Sequence, residues 1–302
     1  MTNLLSIIIV NWNTSALLEA CLCSIYGHAS SLSFEVLVVD NGSSDGSAAL
    51  VRARFPKVWL IANAENVGFA RANNQGIQAS SGRYVMLLNS DTEVQPGALD
   101  TLVGFLEDHP AVAAAGPYLL NPDGSLQPSC HPVLTPEREF WRLAFLDELL
   151  PLATYPMERW DAHTPRPVEV IKGACLVIRR AALEQIGLLD ERYFIYSEEM
   201  DLCLRLARAG WQLYWVPAAR VVHHGAASTK QVAETMYLEL YRSKLQFQAK
   251  FFGRWGVLRF KSLVGLAYLP RWAVAAIGSG VNRSLAPRAR IYRHLLAALP
   301  SM

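Results

Sequence analysis

No stretch of this chain is long and apolar enough to cross a membrane. The nearest candidate, residues 255–281, is broken by Arg259, Lys261, Pro270 and Arg271, and a span needs about 18–20 apolar residues in a row. Spanning helices of the kind a processive polysaccharide synthase uses are therefore not expected. Acidic residues are missing from the C-terminal part: from Arg242 onward there are 11 Lys/Arg and no Asp or Glu. Cysteine is scarce, with five residues and no Cys-x-x-Cys pair. That argues against a disulfide framework or a thiolate metal site and predicts buried, reduced thiols in a cytoplasmic protein. Residues 1–13 lack the positive lead and long apolar segment of a signal peptide, so none is expected. The net charge is +2, which leaves −9 on the part before Arg242. An acidic body with no binding motif excludes a nucleic-acid partner.

What is present is a chain able to bury a large core: 302 residues, 52% hydrophobic and only 18% charged. Residues 4–10 (LLSIIIV) form a continuous apolar run, as expected of a strand buried on both faces of a parallel sheet. A helix over 14–26 follows, with Asn13 or Thr14 as its N-cap. Further strands are predicted at 34–39, 58–61 and 83–88, with helices after residue 45 and over 69–79. Pro96 suits the first turn of the next helix. This alternation predicts an α/β fold with a mostly parallel central sheet flanked by helices. The middle, 111–219, reads as less regular. Pro122-Asp123-Gly124 marks a turn, and 128–166, rich in proline and aromatics, reads as a loop or lid with short helices. A strand is expected over 169–179, interrupted at Gly173, and a helix over 200–209 stopped by Gly210. A long helix over 231–252 and amphipathic helices beyond it complete the chain.

In open α/β sheets ligands bind beyond the carboxyl ends of the strands. Four polar clusters fall there: Asn11-Trp12-Asn13 after the first strand, Asp40 after the second, Asn66 after the third, and Asn89-Ser90-Asp91 after the fourth. Asp40 either accepts a hydrogen bond from the N3–H of a pyrimidine base or simply forms the turn with Asn41-Gly42. Trp12 either packs on a base or sits in the core. Gly68 allows close backbone approach, and Arg71 is either a diphosphate partner or a solvated helix residue.

The segments SIIIVNWN, VVDNGSSDGS, ENVGFARANNQGI, LLNSDTEVQPGAL, KGACLVIRRAAL, GLLDERYFIYSEEMDLCLRLARAGW and VVHHGAAS resemble, in order, the motifs of family 2 glycosyltransferases with the GT-A fold, particularly the bacterial rhamnosyltransferase-like members. They run from residue 6 to about 228. The resemblance implies a catalytic domain over 1–228, a helical extension over 229–302, a nucleotide-diphosphate sugar donor, a divalent metal (Mn2+ or Mg2+) and inversion at the anomeric carbon.

On that resemblance Asn89-Ser90-Asp91 stands where the family has Asp-x-Asp. Asp91 is then the metal ligand, while Asn89, in place of a carboxylate, contacts the ribose or a metal-bound water. Neutralising a departing diphosphate is work for a hard cation with oxygen ligands. Ser197-Glu198-Glu199-Met200-Asp201 matches the family's acidic motif. An inverting transfer needs a base to take the acceptor hydroxyl's proton; by position this is Glu199, with Glu198 as runner-up. Asp201 is the third acid of the group and has Arg205 at i+4 to anchor it. His223, five residues before Ser228, has the spacing of a histidine that faces the metal, which His224 does not. Lys172 and Gly173 match a segment beneath the donor sugar or acceptor. The donor-side set is thus Asn11, Trp12, Asp40, Asn66, Arg71, Asn89, Lys172 and Gly173.

The family implies an acceptor that is a saccharide or a lipid-linked saccharide in cell-surface polysaccharide synthesis. The basic tail suits the inner face of the membrane, with Trp255, Phe260, Tyr268 and Trp272 as interfacial anchors, or else a homodimer contact. Two rivals remain. One is a sugar nucleotidyltransferase, which the absence of Lys or Arg before Arg52 disfavours. The other is a non-catalytic carbohydrate-binding member of the fold.

Overall fold

The expected alternation is realised as β1 (Leu5–Asn11), α1 (Ser15–Gly27), β2 (Phe34–Asn41), α2 (Ser47–Arg54), β3 (Trp59–Asn63), α3 (Phe69–Ala79) and β4 (Tyr84–Asn89). The computed structural model describes residues 4–28, 30–225, 229–280 and 282–302. The chain continues through β5 (Thr92–Val94), α4 (Ala98–Asp108), β6 (Val112–Leu120), β7 (Leu126–Gln127), β8 (Cys130–His131) and α5 (Pro136–Leu143). Then come β9 (Arg166–Pro167), β10 (Val170–Ile171), β11 (Cys175–Arg179), α6 (Arg180–Ile186), α7 (Glu198–Arg208) and β12 (Gln212–His223). The last elements are α8 (Ala233–Gly278) and α9 (Ala286–Ala298).

Contacts divide the chain into two units. The first comprises Met1–Pro132, Tyr155–Phe194 and Glu198–Gln231; the second comprises Val133–Thr154, Ile195–Ser197 and Val232–Met302. The expected boundary at 228/229 adjoins Ser228, which lies outside the described residues. Most of the stretch read as a lid, 133–154, groups with the C-terminal helices rather than with the sheet.

In the first unit the sheet order is β3-β2-β1-β4-β11-β6-β12-β5. Strands β1 to β4 are parallel, β11 runs antiparallel to both β4 and β6, and β12 is parallel to β6. β1 is buried along its whole length, with Leu5, Ile7, Ile8 and Ile9 fully enclosed, each worth roughly 1.5–3 kcal/mol of apolar burial. Alternate residues serve opposite faces. Ile7 and Ile9 pack with Leu18, Leu22 and Ile25 of α1, while Ile8 faces Gly76 of α3, where an added Cβ would lie 2.4 Å from its Cγ2. The regular strand β6 corrects the reading of 111–219 as irregular. Its small residues Ala113, Ala114 and Ala115 are wholly buried and carry no strand propensity of their own; pairing with β11 and β12 makes the strand. Arg179 at the end of β11 is a buried clamp, donating to Leu106 O, Val112 O and the Tyr84 hydroxyl.

Helix starts follow local polar chemistry. The first N–H of α1, at Ser15, donates to Asp45 Oδ2 at 2.7 Å, so the cap comes from the β2–α2 loop rather than from Asn13 or Thr14. Pro96 precedes α4 by two residues instead of standing in its first turn. All five cysteines are free, four of them buried.

The second unit has its own core, built from Leu143, Tyr241, Leu245, Phe260, Val264, Tyr268, Leu295 and Leu299. Glu139 is buried between Lys244 Nζ at 2.9 Å and Arg142. Against the burial that would raise it, these two cations hold its carboxyl down to about 2. The long helix α8 is interrupted at Gly253, whose backbone (φ 63°, ψ −162°) is not helical; the expected end near residue 252 coincides with this break. Phe260 and Tyr268, expected as interfacial anchors, instead lie in this core, and Trp272 is half-buried; of the four only Trp255 is well exposed, at 62%. No helix among the described residues is long and apolar enough to cross a membrane.

Gly42 tests how the strand-end loops are held. It lies at φ +75°, and an added Cβ would meet the backbone carbon of Glu65 at 2.7 Å. Gly42→Ala combines a left-handed backbone with a clash against main chain, so we expect a loss of about 1–3 kcal/mol. It should appear as a lower urea midpoint at unchanged slope.

Candidate active site

The site is assembled at the carboxyl ends of β1, β2 and β4, where the apolar strands give way to polar residues. Asn11 is fully buried. Its Nδ2 donates to Asp40 Oδ1 at 2.9 Å and to Ser43 Oγ at 3.1 Å, and its Oδ1 accepts from Thr14. Asp40 is 3% exposed, and its second oxygen accepts the Ser43 N–H. Both residues were expected to touch the donor; here their polar atoms fix the loops beyond β1 and β2. Asn66 likewise braces its own loop, accepting from Asn41 Nδ2 at 2.7 Å and from the Gly68 N–H at 3.0 Å. Trp12 stands half-buried on the rim. Arg71 is 60% exposed and only loosely paired, 3.9 Å from Glu191 Oε2.

The register of the far side of the sheet brings distant residues to Asp91. β12 pairs antiparallel with β5, placing His223 opposite Thr92. As a result His223 Nε2 lies 3.3 Å from Asp91 Oδ1 and 3.4 Å from Asn89 Nδ2. The other ring nitrogen, Nδ1, is 2.6 Å from Gln127 Oε1. The Gln127 amide is oriented in turn, since its Nε2 donates to Asn121 Oδ1 and to His223 O. An amide oxygen only accepts, so Nδ1 carries a proton and Nε2 is the ring nitrogen turned toward the Asp91 carboxylate, with a lone pair to offer a cation when it is unprotonated. His224 is committed elsewhere, 2.7 Å from Glu93 Oε1. Gln127 was not singled out in the sequence; its signal is its place in the short strand just past the Pro122-Asp123-Gly124 turn.

Among the described residues no cluster of three or more His, Cys, Asp or Glu forms a metal cage. Asp91, His223 and the Asn89 amide instead offer a partial oxygen and imidazole set. That fits a hard cation shared with substrate phosphates, as Mg2+ and Mn2+ sites commonly are.

Glu198 and Glu199 open α7, and each has one buried carboxylate oxygen without a hydrogen-bond partner. Burial first, then the adjacent Glu199, push the Glu198 carboxyl well above its ordinary range. Burial also raises Glu199, but backbone N–H groups and the Lys172 ammonium pull it back. Both carboxyls are thus raised, Glu198 the more strongly, and Glu199 is the half-buried one of the two. The chain enters α7 through two left-handed residues, Tyr196 (φ 70°) and Ser197 (φ 67°), a conformation costly for residues other than glycine. Asp201, the third acid of the group, is anchored through Arg205 at i+4 as expected. It is wholly buried, accepting from Arg205 Nε at 2.5 Å and from the Tyr193 hydroxyl at 3.2 Å. It holds the 186–193 loop through Arg205, which also donates to the carbonyls of Ile186 and Leu188.

The segment 172–174 joins the two halves of the site. Gly173 lies against Glu199, whose Cβ would be 3.7 Å from an added Cβ there. Ala174 O accepts the Asn89 N–H at 3.0 Å. One backbone step thus touches both the Asn89-Ser90-Asp91 turn and the α7 acids. Lys172 Nζ donates to Pro128 O at 2.5 Å, and burial lowers its pKa against the raising effect of Glu199.

A family model for glycosyl transferase family 2 matches residues 6–187. An N-acetylglucosaminyl-diphospho-decaprenol L-rhamnosyltransferase of Mycobacterium tuberculosis is 35% identical, over 76% of this chain and 78% of that protein. The chain belongs to glycosyl transferase family 2. A low-salt glycan biosynthesis hexosyltransferase of Haloferax volcanii is 28% identical over 82% of this chain and 74% of its own. Among solved structures, a mannosyltransferase from Pyrobaculum calidifontis in complex with GDP-Man and Mn2+ superposes with a TM-score of 0.56 at 19% identity. That match covers 99% of this chain and 86% of that one, and it shows the GT-A fold. This glycosyltransferase therefore has the fold and family that its motifs suggested, and the nucleotidyltransferase rival is set aside.

The Glu198 carboxyl sets a pH dependence on stability. Its folded pKa lies above the ordinary 4.5, so the folded state binds the proton more tightly than the unfolded chain. The stability it contributes is full below the ordinary value and is lost as pH rises through the folded value. Glu198→Gln removes that loss. Its melting temperature should match the parent near pH ~4 and exceed it near pH ~8, by about 2–4 °C for each kcal/mol recovered. A variant no more stable at the higher pH would show that Glu198 is ionised in the fold.

Proposed function

We propose that this family 2 glycosyltransferase moves a hexose from a nucleotide diphosphate to a hydroxyl group of a polyprenyl-linked saccharide, with inversion at the anomeric carbon. The reading is carried by the approach of His223 Nε2 to Asp91 Oδ1, 3.3 Å, with the imidazole's other nitrogen committed to Gln127. Asp91 and His223, with Asn89, would hold Mn2+ or Mg2+. Bound there, the cation would neutralise charge developing on the departing diphosphate. The exposed Arg71 adds a cation for the same phosphates, and Trp12 offers its ring to the base. Asn11, Asp40 and Asn66 keep the loops that receive the nucleotide in shape.

Glu199 takes the proton of the acceptor hydroxyl as that oxygen attacks the anomeric carbon. A raised pKa brings a carboxylate closer to the value useful for a base at neutral pH. Glu198, whose carboxyl is held well above the ordinary range by burial, stands beside it. Lys172 holds charge on Glu199 from the other side, and Gly173 leaves room against it. The Mycobacterium relative, named for transferring L-rhamnose to a decaprenol-linked sugar, supports dTDP-rhamnose as donor, with a UDP-sugar as the alternative. It also supports a lipid-linked acceptor in cell-envelope polysaccharide synthesis, met at the inner face of the membrane.

Two measurements test this. In calorimetric titration with dTDP-, UDP- and GDP-sugars, we expect one donor to bind in Mn2+ and to lose affinity in EDTA or in Asp91→Ala. Because Asp91 and His223 form only part of a coordination sphere, Mn2+ alone should bind weakly and tighten when the nucleotide diphosphate is present. Gln127→Leu frees the imidazole to rotate, so Mn2+ affinity measured with nucleotide should fall about 10–100-fold. No donor binding with or without metal would point to a non-catalytic member of the fold. Glu199→Gln should lower kcat by about 10²–10⁴-fold with donor affinity retained. An equal loss in Glu198→Gln but not in Glu199→Gln would move the base to Glu198.

A further inference from the structure

The second unit presents an apolar stripe to solvent, on the side of α8 away from its own core. After the break at Gly253, Trp255, Leu258, Leu266, Leu269 and Ile277 are 62%, 54%, 74%, 56% and 80% exposed. With Ser262 and Ala273 in the gaps, these positions are spaced three or four apart, so they share one face of the helix. The opposite face, with Phe260, Val264 and Tyr268, is buried in the unit's core. Arg259, three residues before Ser262 on the same face, is 67% exposed and paired with Glu137; apart from it this side of α8 is apolar, and it is the side left uncovered.

Charge decides what covers this face. The second unit carries 13 Lys/Arg against 6 Asp/Glu, whereas the first carries 15 against 20. Two of those acids, Glu139 and Glu239, are buried and already paired with Lys244 and Arg242. Arg254 stands over the Trp255 ring at 5.4 Å, at the head of the stripe. Arg254, Arg283, Arg288 and Arg293 have no acidic partner among the described residues. A second copy would bring the same excess of positive charge and repel. A surface bearing anionic headgroups over hydrocarbon complements both the charge and the stripe.

We propose that the Trp255–Ile277 stripe is a docking face that lies in the headgroup region of an anionic phospholipid bilayer. The helix rests on the bilayer rather than crossing it, its stripe set among the upper acyl chains and its arginines among the phosphates. The inference extends the reading of a lipid-linked acceptor given above, since docking would bring the enzyme to the plane in which such an acceptor is anchored.

The test is flotation of the full chain with phosphatidylcholine vesicles made with or without phosphatidylglycerol. We expect the protein to float with the anionic vesicles, weakly or not at all with the neutral ones. The double variant Leu266→Asp/Leu269→Asp should lose about tenfold or more in vesicle affinity. Both positions are exposed, so its circular dichroism and melting temperature should be unchanged. Ser262→Asp, a polar site on the same face, gives a second variant with no apolar contact to lose in water, and it should weaken flotation in the same direction. Calorimetric donor binding, measured without vesicles, separates the two readings: donor binding retained while flotation is lost supports the docking face, and flotation without donor binding leaves it standing while overturning the proposed transferase site. Equal flotation of parent and variants, or no flotation of the parent, overturns the proposal. So does a parent that is dimeric by light scattering and becomes monomeric in the double variant, because a second copy would then be the occupant.

Discussion

The hydrogen bond from Asn11 to Asp40 ties together the carboxyl ends of two strands that are otherwise apolar and buried. A parallel sheet of this kind ends abruptly: main-chain groups and the first polar side chains must find partners within a residue or two, or remain unsatisfied in a poorly solvated place. Here the partners are found across loops. Asn11 reaches Asp40 and Ser43, Thr14 reaches Ser90, and Asn41 reaches Asn66. The polar edge is thus one connected framework, and the Asn89-Ser90-Asp91 turn belongs to it. Asn11, Asp40 and Asn66, expected at the donor from their sequence position, are also part of the frame that sets these loops.

The same economy governs the histidine. A lone imidazole beside a carboxylate has several states open to it: two tautomers, a cation, or a rotated ring. Gln127 removes most of them, because its amide is fixed by Asn121 and by the His223 carbonyl and offers Nδ1 only an acceptor. Nε2 is thereby aimed at Asp91 before any ligand arrives, which is the second-sphere logic of metal sites generally. At the other end of the site, burial and mutual repulsion divide the labour of two adjacent carboxyls, since neighbours that close cannot both ionise cheaply.

Much of this was legible in the chain, because the strand runs in its first 90 residues are unambiguous and place the polar clusters at one sheet edge without further information. Phe69–Ala79 appears as a helix at the expected bounds, fixed by an apolar face and by the Gly68 turn before it. β6 was not legible: its Val-Ala-Ala-Ala-Gly run favours no element, and only its pairing partners, about 60 and 100 residues away, define it. Gln127 was hidden for the same reason, since its meaning depends on the distant register that brings β12 beside it. The separation of Asp201 from its neighbours was visible only as an i+4 arginine, and its full engagement by Tyr193 needed the fold. The tail showed its charge in sequence, but which aromatics faced outward did not follow from spacing alone. Beyond Gly253 the helix has large apolar residues on opposite sides, and packing against α5 and α9 chooses the buried one.

Charge distribution connects the two units to one reaction scheme. The unit that holds the site is net acidic, and around Asp91 it supplies few cations of its own: Arg71 lies out on the rim, and Lys172 is already turned to Pro128 O. A nucleotide diphosphate entering such an edge would face Asp91, Glu199 and the unit's net negative field with little to balance its phosphates. In the proposed reading the Asp91–His223 pair answers this, by offering a place for a divalent cation that would arrive with the phosphates. The proposed metal requirement is therefore a consequence of the same acidic character that separates this unit from the basic one.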